Sequence, residues 1–168
     1  MHRNLVEADM NQLPCCRMFL AEDDDELRAV LAAAFRRDGH EVIEAIDGPD
    51  LVDHLIKARR HPVPGEAHDV VISDLRMPGF SGLQVLSSFH NLHWRMPFIV
   101  ISAFIDAQTE ERARQLGAAA VFSKPVDIDD LRKAVLQVLA GRNPSASPAS
   151  APAAPAASAA SADWSPVD

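Results

Sequence analysis

Short apolar runs alternate with stretches whose apolar residues recur at helical spacing, and the alternation repeats five times between Arg17 and Ala140. The first run, Met18-Phe19-Leu20-Ala21, reads as a strand that stops at Glu22-Asp23-Asp24-Asp25. Leu27, Val30, Leu31, Ala34 and Phe35 then mark one face of a helix that ends at Gly39. Glu41 to Ile46 is a second strand, and Leu51, Val52, Leu55 and Ile56 form a second helix face. Asp69-Val70-Val71-Ile72-Ser73 is a third strand, apolar almost throughout. A helix from Ser81 to about His90 carries Leu83, Val85 and Leu86, Pro97 opens the strand Phe98-Ile99-Val100-Ile101, and a helix from Asp106 to Leu116 ends at Gly117. Ala120-Val121-Phe122 and a helix from Asp127 to Ala140, with Leu131, Val135, Val138 and Leu139 on one side, complete the series. Strands apolar on both faces and separated by helices predict an α/β architecture, a doubly wound five-stranded parallel sheet with five helices.

The pattern stops at both ends. The first 14 residues mix polar and apolar positions without a clear period and end at Pro14, so residues 1–16 read as a leader. Residues 141–168 draw 21 of their 28 residues from Ala, Pro and Ser. Such a stretch buries too little apolar surface to offset chain entropy, and its prolines block helix and ladder pairing. It is expected to be disordered and dispensable for any chemistry, with Trp164 solvated. The folded unit is then residues 17–140, the size of one domain with a sizeable core.

Composition narrows the partners. Of 168 residues, 24 are acidic and 16 basic, a formal net charge of −8, and no Lys/Arg stripe suits a phosphate backbone. Direct nucleic-acid binding is not expected. No apolar run approaches the roughly 20 residues that span a bilayer, and Met1 to Glu7 lack the build of a signal peptide. No membrane association and a cytoplasmic location are the expectation. Cys15 and Cys16 are adjacent, which gives neither a disulfide framework nor a spaced metal site, so they read as inert. With the end charges removed, 20 acids and 14 bases remain, so the acidity belongs to the fold.

In an open parallel sheet, chemistry collects beyond the carboxyl ends of the strands. Glu22 and Asp23 follow the first strand, Asp74 the third, Ser102 the fourth, and Lys124 with Pro125 the fifth. Taken singly each has a plain explanation: Asp24 and Asp25 can cap the first helix, and a lone Asp, Ser or Lys after a strand is often a turn or solvated residue. Their conjunction is the signal. Three carboxylates gathered in one cleft call for a cation, and all-oxygen donors suit a hard ion such as Mg2+. One carboxylate can then act as a nucleophile toward a phosphoryl group, with Lys124 supplying charge and Ser102 a hydroxyl donor. Asp74 is the expected nucleophile because it follows the middle strand.

These segments resemble the receiver domain of bacterial two-component response regulators, over roughly Arg17 to Ala140. Phe19-Leu20-Ala21-Glu22-Asp23-Asp24 is similar to the family's acidic pair, Val70 through Gly82 to its phosphoacceptor segment, and Val100-Ile101-Ser102-Ala103 and Phe122-Ser123-Lys124-Pro125 to its two remaining signatures. The resemblance implies a flavodoxin-like receiver fold and phosphorylation on Asp74. It implies Mg2+ held by Glu22, Asp23, Asp74 and the main-chain carbonyl of Arg76, with Ser102 as the switch hydroxyl and Lys124 paired with the phosphate. Pro125 would follow a cis peptide. The implied donor is a sensor histidine kinase or a histidine phosphotransfer protein, and the implied output is a downstream protein bound through the last helix and strand face, which could also mediate a homodimer. The chain would then be a phosphoacceptor taking part in its own phosphotransfer and autodephosphorylation, not an enzyme. With no output domain after Ala140, it resembles the single-domain regulators of chemotaxis and phosphorelays.

Three positions qualify that expectation. The family usually has an aromatic residue three positions before the Lys, where this chain has Val121, with the aromatic at Phe122. Arg76 and Phe104 stand two residues beyond Asp74 and Ser102, places that in the family control water attack on the acyl phosphate. Their bulk predicts slow hydrolysis. A phosphatase resembling haloacid dehalogenases would need a general acid where Arg76 stands, together with a cap domain for which the chain leaves no room. A nucleotide-binding module would need a Gly-rich turn after the first strand, and acids stand there instead. A docking module that never takes phosphate is the remaining alternative.

Overall fold

The computed structural model describes residues 15–61 and 69–141. Ten elements alternate: β1 (Arg17–Ala21), α1 (Asp25–Arg37), β2 (Glu41–Ala45), α2 (Gly48–Arg60), β3 (Asp69–Asp74), α3 (Gly82–Asn91), β4 (Phe98–Ser102), α4 (Ala107–Gln115), β5 (Ala120–Ser123) and α5 (Ile128–Leu139). The strands form one parallel sheet in the order β2-β1-β3-β4-β5. The connections therefore run outward in opposite directions from the β1/β3 boundary. At such a reversal the following loops separate and leave a crevice at the carboxyl ends of the strands.

Each helix starts where a short polar side chain can accept its first free N–H groups. Asp24, Asp47, Ser81, Asp106 and Asp127 are the N-caps, and Ser81 forms a reciprocal capping box with Gln84. Three helices thus begin one residue after the positions read from the sequence, because Ser81, Asp106 and Asp127 cap them. Ile46 also departs from expectation: β2 ends at Ala45, and Ile46 is exposed beyond it. Asp74 and Ser102 are the last residues of their strands, so the sheet ladder itself positions them.

Alternation along the central strands divides the core in two. Met18, Leu20, Val70, Ile72, Ile99 and Ile101 face α1 and α5, where they meet Leu31, Phe35, Leu131 and Val135. Phe19, Val71 and Val100 face the other side and meet Leu51, Leu55, Val85 and Phe89. β2 and β5 are less buried than expected of strands apolar on both faces, because they are the sheet edges. Among the described residues no helix is long and apolar enough to cross a membrane. Apart from Cys15, Cys16 and Gly141, the leader and the tail lie outside the described residues.

Cys16 is buried beside His40, whose Nδ1 accepts from the Cys16 N–H at 3.4 Å and lies 3.2 Å from its Sγ. Burial, together with the charges of Cys15 and Asp69, pushes the Cys16 thiol up to about 12, so it stays protonated. Burial also lowers the His40 imidazole from its usual 6.5, only partly opposed by Asp38. Below that value the unfolded chain takes up a proton that folded His40 refuses, so stability should fall as pH drops from about 6.5 toward the lowered folded value. His40→Gln should flatten this dependence, by at most about 1.4 kcal/mol per pH unit. Urea midpoints for both proteins at about pH 7.5 and 5.5 measure the difference.

Candidate functional site

The ends of β1, β3, β4 and β5 bring together Glu22, Asp23, Asp74, Ser102 and Lys124. Register accounts for the placement. Ala21 pairs with Ser73 across β1 and β3, and Ile101 with Asp74 across β3 and β4. Leu75 N–H donates to the Ile101 carbonyl at 3.1 Å, and Lys124 N–H to the Ser102 carbonyl at 2.8 Å. The ladders thus continue one step past the strands and carry each side chain to the same rim.

Lys124 stands at the centre. Its Nζ donates to Asp74 Oδ2 at 2.7 Å and to Glu22 Oε1 at 2.9 Å, and it lies 2.8 Å from Glu22 Oε2. Asp74 is 4% exposed and Glu22 fully buried, while Asp23 is exposed. Asp74 Oδ1 accepts from the Arg76 N–H at 3.0 Å, which ties the loop after β3 to the carboxylate. Glu22 Oε1 also accepts from the Asp24 N–H at 3.2 Å, whereas Oε2 is buried without a hydrogen bond.

Burial raises the Glu22 carboxyl above its ordinary range, against the pull of Lys124 and the Asp24 N–H. For Lys124 burial acts downward, yet hydrogen bonds and charge from Asp74 and Glu22 outweigh it and hold the ammonium above its usual value. The Glu22 shift is chiefly a desolvation effect, while that of Lys124 reflects the two buried carboxylates paired with it. Glu22, Asp23 and Asp74 each place an oxygen within 4.8 Å of the others. The hard oxygen donors and the surplus negative charge of the cluster fit a small divalent cation.

Ser102 is fully buried at the end of β4, and its Oγ accepts from the Phe104 N–H at 3.4 Å. Phe104 is 68% exposed and carries the Arg76 guanidinium 4.9 Å above its ring, so the two side chains form one flap beside the rim. The peptide between Lys124 and Pro125 is cis. Val121 packs on the side of α2 to α4, and Phe122 on the side of α1 and α5. Because neighbouring strand residues point to opposite faces, Phe122 does not occupy the place that Val121 leaves without an aromatic.

Two supports were not read from the sequence. Arg28, on the first turns of α1, donates from Nη1 to the Glu22 carbonyl at 2.8 Å and so holds the acidic turn. Gly82 donates its N–H to the Leu75 carbonyl at 3.1 Å, and a Cβ there would overlap the Asp74 carbonyl. An i to i+6 Arg carries no sequence signal. A glycine opening a helix right after the Asp74 loop does, since a close backbone approach is one reason for glycine at such a place.

An acid and lysine rim at the switch point of a five-stranded parallel sheet defines the class: an α/β phosphoacceptor-type domain. The profile of the response regulator receiver domain matches residues 18–136, and the chain belongs to that family. Among curated relatives it is similar to sporulation initiation phosphotransferase F of Bacillus subtilis, 26% identical over 123 residues that cover 73% of this chain and 93% of that protein. It is also similar to the transcriptional regulatory protein PdtaR of Mycobacterium tuberculosis, 35% identical over 120 residues that cover 71% of this chain and 54% of that protein. The chain thus spans about half the length of the second relative. Among solved structures, chemotaxis protein CheY4 of Vibrio cholerae shares the fold, with a TM-score of 0.62 at 20% identity over 74% of this chain and 99% of that one.

Proposed function

We propose that this chain is a response regulator receiver that accepts a phosphoryl group on Asp74 from a phosphohistidine of a sensor kinase or phosphotransfer protein. The observation that carries the reading is the Lys124 ammonium, hydrogen-bonded to Asp74 at 2.7 Å and to Glu22 at 2.9 Å in a nearly closed cleft. It orients a nucleophilic carboxylate and places a cation where phosphoryl oxygens would gather.

Glu22, Asp23, Asp74 and the main-chain carbonyl of Arg76 would hold Mg2+, which when bound neutralises charge on the incoming phosphoryl oxygens. The chain's own residues do the rest. An Asp74 carboxylate oxygen forms the new bond to phosphorus as the bond to the donor imidazole breaks. Lys124 then pairs with the phosphoryl oxygens, and the Ser102 hydroxyl turns from the Phe104 N–H toward them. That turn moves the loop after β4 and repacks the β5 and α5 face, where a downstream protein or a second copy would bind. The chain acts in the cytoplasm without touching nucleic acid or membrane, and takes part in its own phosphotransfer and autodephosphorylation without being an enzyme on other substrates.

Incubation with acetyl phosphate and Mg2+, followed by intact mass, tests the reading. A gain of one phosphoryl group that requires Mg2+ and disappears in Asp74→Asn supports it. A gain that survives Asp74→Asn moves the acceptor elsewhere, and no gain in either protein leaves a docking module. The Arg76 and Phe104 flap makes a second expectation. By shielding the acyl phosphate from water it should prolong its life, so Phe104→Ala should shorten the phosphorylated half-life severalfold. An unchanged lifetime, timed by loss of the mass gain, would remove the flap from the mechanism.

A further inference from the structure

At the opposite end of the sheet from the acid and lysine rim, a cleft of about 790 Å³ opens among the starts of β1 and β4 and the ends of α2, α3 and α5. Its apolar lining includes Leu55, Met96, Pro97 and Leu139. Three arginines reach it. Arg17 is paired with Asp69 at 2.6 Å, but neither Arg59 nor Arg95 has an acidic partner among the described residues. Arg59 instead lies 5.1 Å above the Trp94 ring, and the Trp94 Nε1 is buried without a hydrogen-bond partner. The cleft therefore offers an apolar floor and two arginines that have no carboxylate partner among the described residues. Its complement is a segment with an aromatic body and carboxylates beside it.

The chain carries such a segment. Gly141 lines the cleft, and 27 residues follow it. In residues 142–168 the acids are Asp163 and Asp168 and the aromatic is Trp164, so both chemistries gather in Asp163-Trp164-Ser165-Pro166-Val167-Asp168. The only base in that stretch is Arg142, at its other end. Twenty-two residues separate Gly141 from Trp164, and a coil of that length has an end-to-end distance of roughly 25 Å. Reach is sufficient, and tethering gives an effective concentration on the order of millimolar.

We propose that Asp163–Asp168 dock in this cleft of their own chain, with Trp164 on the apolar floor beside Trp94 and the two carboxylates toward Arg59 and Arg95. The seat lies away from Asp74 and does not depend on the phosphoacceptor reading.

The test uses the full chain, labelled with 15N, with a nitroxide on Ser165→Cys in a Cys15→Ser background, since buried Cys16 is shielded from the label. Docking predicts loss of most of the intensity of the Trp94 indole signal and of the His93 to Met96 amides, with the Asp74 and Lys124 signals unaffected. Arg95→Glu should restore the lost intensity, and adding Asp163→Arg to Arg95→Glu should abolish it again. Weak broadening spread evenly over the molecule overturns the proposal. Broadening that appears when the nitroxide is carried only by unlabelled chains places the segment in a second copy and overturns the intrachain seat.

Discussion

Asp74→Asn should take up no phosphoryl group and yet, in metal-free buffer, unfold at a higher urea concentration than the unmodified chain. The first half follows from removing the nucleophilic oxygen. The second follows from the charges: Glu22, Asp23 and Asp74 lie within one cluster, and one ammonium serves both Glu22 and Asp74. Replacing one carboxylate with an amide of the same shape removes repulsion while keeping an acceptor for the Arg76 N–H. A gain of about 1 kcal/mol is expected, the scale of a one-unit shift in a carboxyl pKa. Mg2+ should narrow the gap by stabilising the unmodified chain more. If Asp74→Asn instead unfolds more easily without metal, the Lys124 attraction outweighs the crowding of acids, and the site is balanced without a cation.

Lys124→Met should be the more damaging change. The side chain is only 17% exposed, and Glu22 is fully enclosed beneath it. Removing the ammonium while leaving both carboxylates strands buried charge, which costs about 3 kcal/mol where it has been measured in other proteins. Met fills the space of the Lys stem, so the loss is electrostatic and not a cavity effect. Divalent cations should therefore return part of the stability, and more of it in Lys124→Met than in the unmodified chain. Denaturant unfolding with Mg2+ and with a chelator separates the two. Equal effects of Mg2+ on both proteins would mean that the carboxylates do not act as its ligands.

Much of this arrangement was legible in the sequence, for identifiable reasons. Continuous apolar runs such as Val70 to Ile72 and Phe98 to Ile101 could only be central strands of a covered sheet, and acids just past such strands fall on one rim. The order of strands then brought together residues far apart in the chain without further information. What stayed hidden depends on side-chain geometry across elements. Lys124 meets Glu22 as well as Asp74 because β5, β3 and β1 end at nearly one level, a matter of register. Ile46 read as strand because it is apolar and β-branched, yet Asp50 Oδ2 accepts its N–H and turns the chain into α2.

β5 has four residues and a single neighbour in the sheet, and its last residue, Ser123, is exposed. The lysine paired with Asp74 therefore directly follows the least anchored strand of the sheet. Amide protons of Val121 to Ser123 should exchange with solvent sooner than those of β1 or β3. A change of partner at Lys124 would then register first as altered exchange along this edge. The same ammonium clamps that edge to the interior carboxylates, so two ion pairs fasten the strand that its own backbone ladder holds least.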